Sequence, residues 1–418
     1  MILVYAVAVY LPITYAWIVL IVGMVVFGLR VGLELAAKNS FLNCPAILAV
    51  RQAPMSMPLL VYTLVVLLTG AINGGLKEGW ASVVTLRAFL LYFIAYAAFS
   101  RADKLREKTL AVLLSFGAVA GVWGTIQQLF HYHPFEKFQY LQASGFMGNP
   151  MAYAGQMEVT ACLALGLLLS GGFKQVIGNR LAFILITVCN LAGVFFASER
   201  SAWLGIFSGV LVIACLVSLR MFGLMVLSMI PIGLISWFTV PVVQTRIVPM
   251  ITNIQGDVGV QARFVVWQKA LEVWREHPVF GVGVRNFPKL DIPEAIVPGE
   301  STYLVHAHNN FLHILATMGV VGLLAFVYLE LSMLWLAFKT WRSKRSETQE
   351  DLFHRAIGLG CLGGIVSLTV AGLFEYNFGT GHVRLMHWFV LAMMLANLKT
   401  VSNVSLSPGE ALEAPGGK

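Results

Sequence analysis

Apolar runs close to twenty residues long recur along the whole of this 418-residue chain, and they leave few folds open. A helix of about 20 apolar residues spans a ~30 Å hydrocarbon core. A membrane barrel needs strands that alternate apolar and polar residues, which continuous runs of this kind do not supply. Composition agrees. The chain is 58% hydrophobic and only 11% charged, where a soluble globule carries about 25% charged residues, and its mean hydropathy is +0.79. The expected fold class is an all-α polytopic membrane protein. The opening MILVYAVAVYLP has no basic leader and reads as a first span, not as a cleaved signal peptide.

About twelve spans are expected, near 2–13, 14–30, 57–75, 81–100, 109–130, 150–171, 180–197, 201–218, 222–241, 312–338, 355–375 and 384–399. The first two share one apolar stretch broken near Pro12, so eleven is the alternative. Lysines and arginines set the orientation, because cytoplasmic loops are the basic ones. With both termini cytoplasmic, 17 of them fall inside and 10 outside, while Arg87 lies within a span. The net charge of +8 is then a matter of topology and asks for no nucleic-acid partner. Residues 1–399 read as a single transmembrane domain. A large periplasmic segment, 242–308, is inserted between spans nine and ten, and 400–418 read as a disordered cytoplasmic tail. The five cysteines, Cys44, Cys162, Cys189, Cys215 and Cys361, show no CxxC spacing and read as small core residues.

Four outer stretches carry the unusual residues. In SERSAWLG, 198–205, a tight turn separates two apolar runs and holds Arg200. That arginine either snorkels to headgroups or is a fixed cation facing a cavity, with Trp203 as an interface anchor. In ARFVVWQKALEVWREHPVFGVGVRNF, 262–287, the residues Arg263, Trp267, Ala270, Leu271 and Trp274 share one helical face. His277-Pro278 ends that helix, and Gly281 and Gly283 mark turns. It is too short to cross and is expected to lie along the outer surface, its tryptophans facing the membrane. There Arg263 is an ordinary surface arginine or a headgroup-level cation.

In HAHNNFLHILATMGVVG, 306–322, Asn309 and Asn310 can cap the helix that follows, which leaves His306 and His308 unexplained. Histidine takes a proton near neutral pH, so these two are structural or they are acid–base groups. His313 reads as packed within the helix. In GFMGNPMAYAGQ, 145–156, a turn leads into a span that carries Glu158 about 12 Å down. Arg87 lies at comparable depth. Either the two pair, or Arg87 reaches toward an anion in a wet cavity.

In this order, the stretches resemble bacterial O-antigen ligases and O-antigen polymerases, and bacterial protein O-oligosaccharyltransferases share the order. FEYNFGTGHVRL, 374–385, resembles a late outer loop of these proteins. The resemblance covers about 140–400, most strongly 195–325. It implies a GT-C-like fold and transfer of a glycan from undecaprenyl diphosphate with no metal and no cofactor. The acceptor it implies is lipid A–core oligosaccharide in the bacterial inner membrane. Carried over by motif position, Arg200 and Arg263 hold the donor diphosphate and His308 acts at the acceptor, with His306 its partner or rival. Arg87, Asn309, Trp267 and Glu158 are further candidates for binding substrate. The family's SRG-like variant is SER here, which leaves the part played by Glu199 open.

The chemistry is coherent on its own terms. Arginines balance a departing diphosphate through bidentate contacts, in place of Mg²⁺. The outer carboxylates Asp257, Asp291, Glu294 and Glu300 are scattered and do not suggest a Mg²⁺ cage. A neutral histidine as general base is worth ~10²–10⁴-fold, and one displacement inverts the anomeric centre. Trp267 and Trp274 either anchor the loop or stack on sugars. A repeat-unit polymerase and a transferase to protein hydroxyls share this chemistry. A lipid-linked glycan transporter is the alternative of another class, disfavoured because the polar residues gather at one face and no internal repeat is evident.

Overall fold

The structure is a computed structural model that describes residues 1–38, 45–132, 142–290, 305–343 and 348–396. The expected tail, Cys44, and the carboxylates Asp291, Glu294 and Glu300 lie outside the described residues. In chain order the helices are α1 (Ile2–Ala8), α2 (Ile13–Lys38), α3 (Pro45–Arg51), α4 (Ser56–Val84), α5 (Ala88–Phe99), α6 (Asp103–Phe130), α7 (Pro150–Leu169), α8 (Phe173–Val176), α9 (Arg180–Phe196), α10 (Arg200–Val217), α11 (Leu219–Thr239), α12 (Pro241–Thr252), α13 (Val258–Glu276), α14 (Asn310–Trp341), α15 (Gln349–Ala371) and α16 (Gly381–Leu395). No strand occurs among the described residues.

The expectation of twelve spans is revised. Eight helices, α2, α4, α6, α7, α10, α11, α14 and α15, are long and apolar enough to cross a membrane, while α5 and α9 are apolar but shorter. Hydropathy sees a run of residues and not the breaks inside it. The expected first span is a helix of only 7 residues that stops ahead of Pro12. The chain doubles back within α4 at Gly74-Gly75, where Gly75 has φ 75 and where the expected span 57–75 ends. A Cβ on Gly70 would lie 2.8 Å from the Cα of Gly79, whereas nine residues of straight helix would separate them by about 13 Å.

The centre of the bundle is α7, enclosed by α9, α10, α15 and α16. Between helices in lipid there is little hydrophobic drive, so close backbone approach carries the packing. Glycine permits it here, since a Cβ on Gly166 of α7 would sit 2.5 Å from the backbone nitrogen of Gly360 on α15. At the margin, α11 buries no residue and presents apolar side chains all round, as a lipid-facing helix should. Cys162 and Cys361 are buried as expected of core residues, Cys189 is half-buried, and Cys215 is exposed.

One end of the bundle is built around a break in α14. Gly319 has φ 65, and the helix ladder is interrupted there. The turn-rich segment after α13 fills the gap. Val282 and Gly283 donate to the carbonyls of Ala316 and Thr317 at 3.1 and 2.8 Å, and Val320 donates to Pro278 at 2.9 Å. Orphaned backbone groups inside an apolar bundle need such partners. The expected turns at Gly281 and Gly283 are present, with φ 61 and 96, and they serve this strap.

The helix α13 ends at His277, as the sequence suggests, but its buried face is different. Val266, Ala270 and Val273 are the buried stripe, and Ala270 and Val273 pack with Phe287, Ala307 and Ala316 in a small core of their own. Trp267 and Trp274 stand beside that stripe, half-buried, so α13 is seated on protein and not only on the membrane. Apolar periodicity gave the helix but could not tell a neighbouring helix from lipid.

Candidate active site

Three sequence motifs meet where α10, α13 and α14 begin. The turn before α10 places Ser198 at φ 58 and Glu199 as the buried cap residue, so Arg200 leaves from the first helical position. Its guanidinium grips Asp257 with both forks, Nη1 to Oδ2 at 2.5 Å and Nη2 to Oδ1 at 3.1 Å. Asp257 in turn caps α13, accepting the N–H of Val260 at 3.0 Å. The hydrogen bond from Arg200 and the helix end hold its carboxyl below the usual range. Arg200 also donates to the carbonyl of Arg246 on α12 at 3.4 Å.

Arg263, further along α13, donates to the carbonyls of Gly259 and Phe374, both at 2.9 Å. Its Nη2 lies 3.8 Å from Glu375 Oε2. The point where Gly259 would carry a Cβ is 3.3 Å from Arg200 Nη2 and 3.4 Å from Arg263 Nη1. The two guanidiniums therefore flank one spot.

The histidines arrive by a different route. Asn309 caps α14, accepting Leu312 N–H at 2.9 Å, and donates to the carbonyl of Leu373 at 2.8 Å. Asn310 is not a cap. Its side chain donates to Asn377 Oδ1 at 2.7 Å and accepts Phe378 N–H at 3.1 Å. Two adjacent asparagines thus clamp the loop after α15 onto the start of α14, which brings Glu375 to His308. The His308 Nδ1 to Glu375 Oε2 distance is 3.0 Å. His308 sits at φ 45, a strained setting for a side chain of its size.

Burial acts to raise the Glu375 carboxyl, but the His308 bond and the charges of His308, His306 and Arg263 outweigh it, and the net shift is downward. The His306 ring lies 4.2 Å from that of His308. Burial first, then the neighbouring histidine, push His306 down to about 4, so it is neutral at physiological pH. Glu199, buried below the arginines, is pushed up to about 7 by burial, against the pull of Arg246. His313 is packed, as expected, its ring 4.8 Å from Phe287 and 3.9 Å from Tyr376.

The remaining expected residues divide. Trp267 stands at the edge of the cluster, 6.3 Å from Phe374, with its buried indole N–H unpartnered. Glu158 lies under it: it accepts from Ser367 at 2.5 Å and lines a small cavity with Glu199 and Glu375. Arg87 is elsewhere, its guanidinium 4.4 Å above the Trp17 ring. It lines a cavity of about 770 Å³ between α3, α4 and α5, and no residue of the arginine–histidine cluster lines that cavity. The expected Arg87–Glu158 pair is not formed.

Asp257, Glu375 and Arg246 are the members that sequence reading did not single out. Asp257 offered a signal, a cap-forming residue just ahead of a helix, and Glu375 another, an acid at the close of an apolar run. Could the site hold a metal? His306, His308 and Glu375 each offer a ligand atom, all within 4.8 Å of one another, the grouping of this kind among the described residues. Arg263 beside Glu375 opposes a divalent cation there.

Fold and site together define a polytopic all-α membrane protein with a cluster of arginines, histidines and carboxylates at one end. Residues 183–327, about a third of the chain, match the family model Wzy_C, described as O-Antigen ligase, and it is this stretch that is similar to the family. The matched stretch includes Arg200, Asp257, Arg263, His306 and His308. The match supports enzymatic activity in general. No curated protein matches the sequence.

Proposed function

We propose that the protein is a glycosyltransferase that moves a glycan from undecaprenyl diphosphate to lipid A–core oligosaccharide, an O-antigen ligase. Both termini are cytoplasmic and the cluster faces the periplasm, where the heads of both amphiphiles lie. The observation that carries the reading is the convergence of Arg200 and Arg263 beside Gly259, with Glu375 shared between Arg263 and His308.

In the reaction the acceptor hydroxyl attacks the anomeric carbon. The new C–O bond forms as the bond to the diphosphate oxygen breaks, and the electron pair leaves with the diphosphate. Arg200 and Arg263 balance the growing charge through their forks. His308 accepts the hydroxyl proton at Nε2, while Glu375 holds Nδ1 and steadies the imidazolium that results. Attack opposite the leaving group inverts the anomeric configuration. Arginine supplies the charge that Mg²⁺ supplies elsewhere, so the reaction is expected to run without metal.

Reconstitution in proteoliposomes with purified lipid-linked glycan and lipid A–core tests this. Expected is an inverted product, formed in EDTA and lost in Arg263→Ala and His308→Ala. Product that needs a divalent ion would end the metal-free account and point to His306, His308 and Glu375. Chain extension of the donor, with nothing transferred to lipid A–core, would identify a polymerase.

A further inference from the structure

Asp257 occupies the terminal edge of Arg200, the pair Nη1 and Nη2, at 2.5 and 3.1 Å, and its Oδ1 lies 3.4 Å from the same point beside Gly259 that Arg200 Nη2 and Arg263 Nη1 flank. An anion that bridges the two arginines at that point meets Asp257 there. Arg263 is held differently. Its hydrogen bonds go to the backbone carbonyls of Gly259 and Phe374, and its nearest carboxylate, Glu375, is 3.8 Å away and engaged with His308. One arginine of the pair is therefore capped by an internal carboxylate and the other is not.

We infer that Asp257 is a specificity-determining residue, an internal carboxylate that only a polyanion spanning Arg200 and Arg263 displaces. The inference rests on the reading of these arginines as diphosphate ligands. A single phosphate or a sugar carboxylate arriving at Arg200 exchanges one bidentate anion for another and gains little. Asp257 is moreover tethered, which gives it a high effective concentration. A diphosphate offers a second anionic group to Arg263 across the gap at Gly259, where both guanidiniums lie within 3.4 Å of one point. Only that ligand recovers what displacement of Asp257 gives up. The helix end adds a consequence. Asp257 caps α13 through Val260, so its release loosens the first turn of the helix that carries Arg263, and donor binding and the pose of α13 are coupled.

The test is calorimetry on the full chain in zwitterionic nanodiscs, with inorganic pyrophosphate and inorganic phosphate as probes. Asp257→Asn and Asp257→Ser both keep a capping side chain and remove the charge. The wild type is expected to prefer pyrophosphate by about tenfold or more, and both variants to bind phosphate about tenfold more tightly than the wild type, so that the preference shrinks. If phosphate binding is unchanged or weaker in both variants, with helix content and melting temperature preserved, Asp257 merely orients Arg200 and the inference fails. If neither probe binds wild type or variant at millimolar concentration, the diphosphate reading of the arginines fails with it.

Discussion

Arg200 and Arg263 at one end of the bundle can be set against Arg87 between α4 and α5. All three are arginines beside apolar runs, and all three are candidates on sequence grounds. The first two meet Asp257 and Glu375 and lie within reach of one spot, and Arg263 shares Glu375 with His308. The third lies over Trp17, in a cavity whose lining adds Arg51 but no carboxylate. Its stacking is a cation–π contact of the kind worth ~0.5–2 kcal/mol. The contrast teaches that an arginine near a membrane becomes a candidate for chemistry through what the fold brings to it. Arg200 and Arg263 share one spot and meet carboxylates, whereas Arg87 meets an indole face.

The contrast can be broken most sharply at the proposed general base. His308→Ala is expected to lower the transfer rate by ~10²–10⁴-fold in proteoliposomes, while Arg87→Ala changes it by no more than several-fold. Equal losses in the two would erase the distinction drawn here. Next in size is Arg200→Lys, which keeps the charge and loses the fork. About a hundredfold loss in kcat/KM for donor is expected, corresponding to about 2.7 kcal/mol of transition-state stabilisation. A lysine that performs like arginine would show that charge alone suffices.

Glu375→Gln keeps the shape of the loop and removes the anion that faces His308. A loss of roughly tenfold in kcat with KM little changed is expected, because the effect falls on the imidazolium formed during reaction. A change confined to KM would make Glu375 a binding residue instead.

The smallest effect is one of stability and pH. Burial raises Glu199 to about 7, so the folded state holds its proton more tightly than the unfolded chain does. Between the unfolded value near 4.5 and about 7 the folded state binds more protons, and stability falls as pH rises. The penalty is complete above 7 and amounts to at most about 1.4 kcal/mol per pH unit crossed. His306, pushed down to about 4, contributes in the opposite sense between pH 5 and 6.5, so the test is a comparison of melting curves of the wild type and Glu199→Gln in detergent at pH 5 and pH 8. The variant is expected to gain stability relative to the wild type at pH 8 and not at pH 5. A variant with the wild-type pH difference would mean that Glu199 stays ionised throughout.

Much of this end of the molecule was legible in advance, for local reasons. Asn309 reads as a cap because a side-chain oxygen ahead of an apolar helix has one obvious use, and it caps α14. His277-Pro278 reads as a stop because proline cannot continue a helix, and α13 stops there. The role of Asn310 was not legible, since its partners Asn377 and Phe378 are 67 and 68 residues away. Glu375 was hidden for the same reason, and α13's buried stripe because an apolar face does not state what covers it.

By itself, the sequence determined that the chain is helical and membrane-embedded, where its polar residues concentrate, and which short segments cap or end helices. These follow from hydropathy, periodicity and turn chemistry, all of which act over a few residues. Only the tertiary structure decided that α4 doubles back, that the strap after α13 closes the break at Gly319, and that Arg87 stands apart from Arg200 and Arg263. Those outcomes depend on backbone groups and charges that meet across tens or hundreds of residues, where the energy of pairing exists only once both partners are in place.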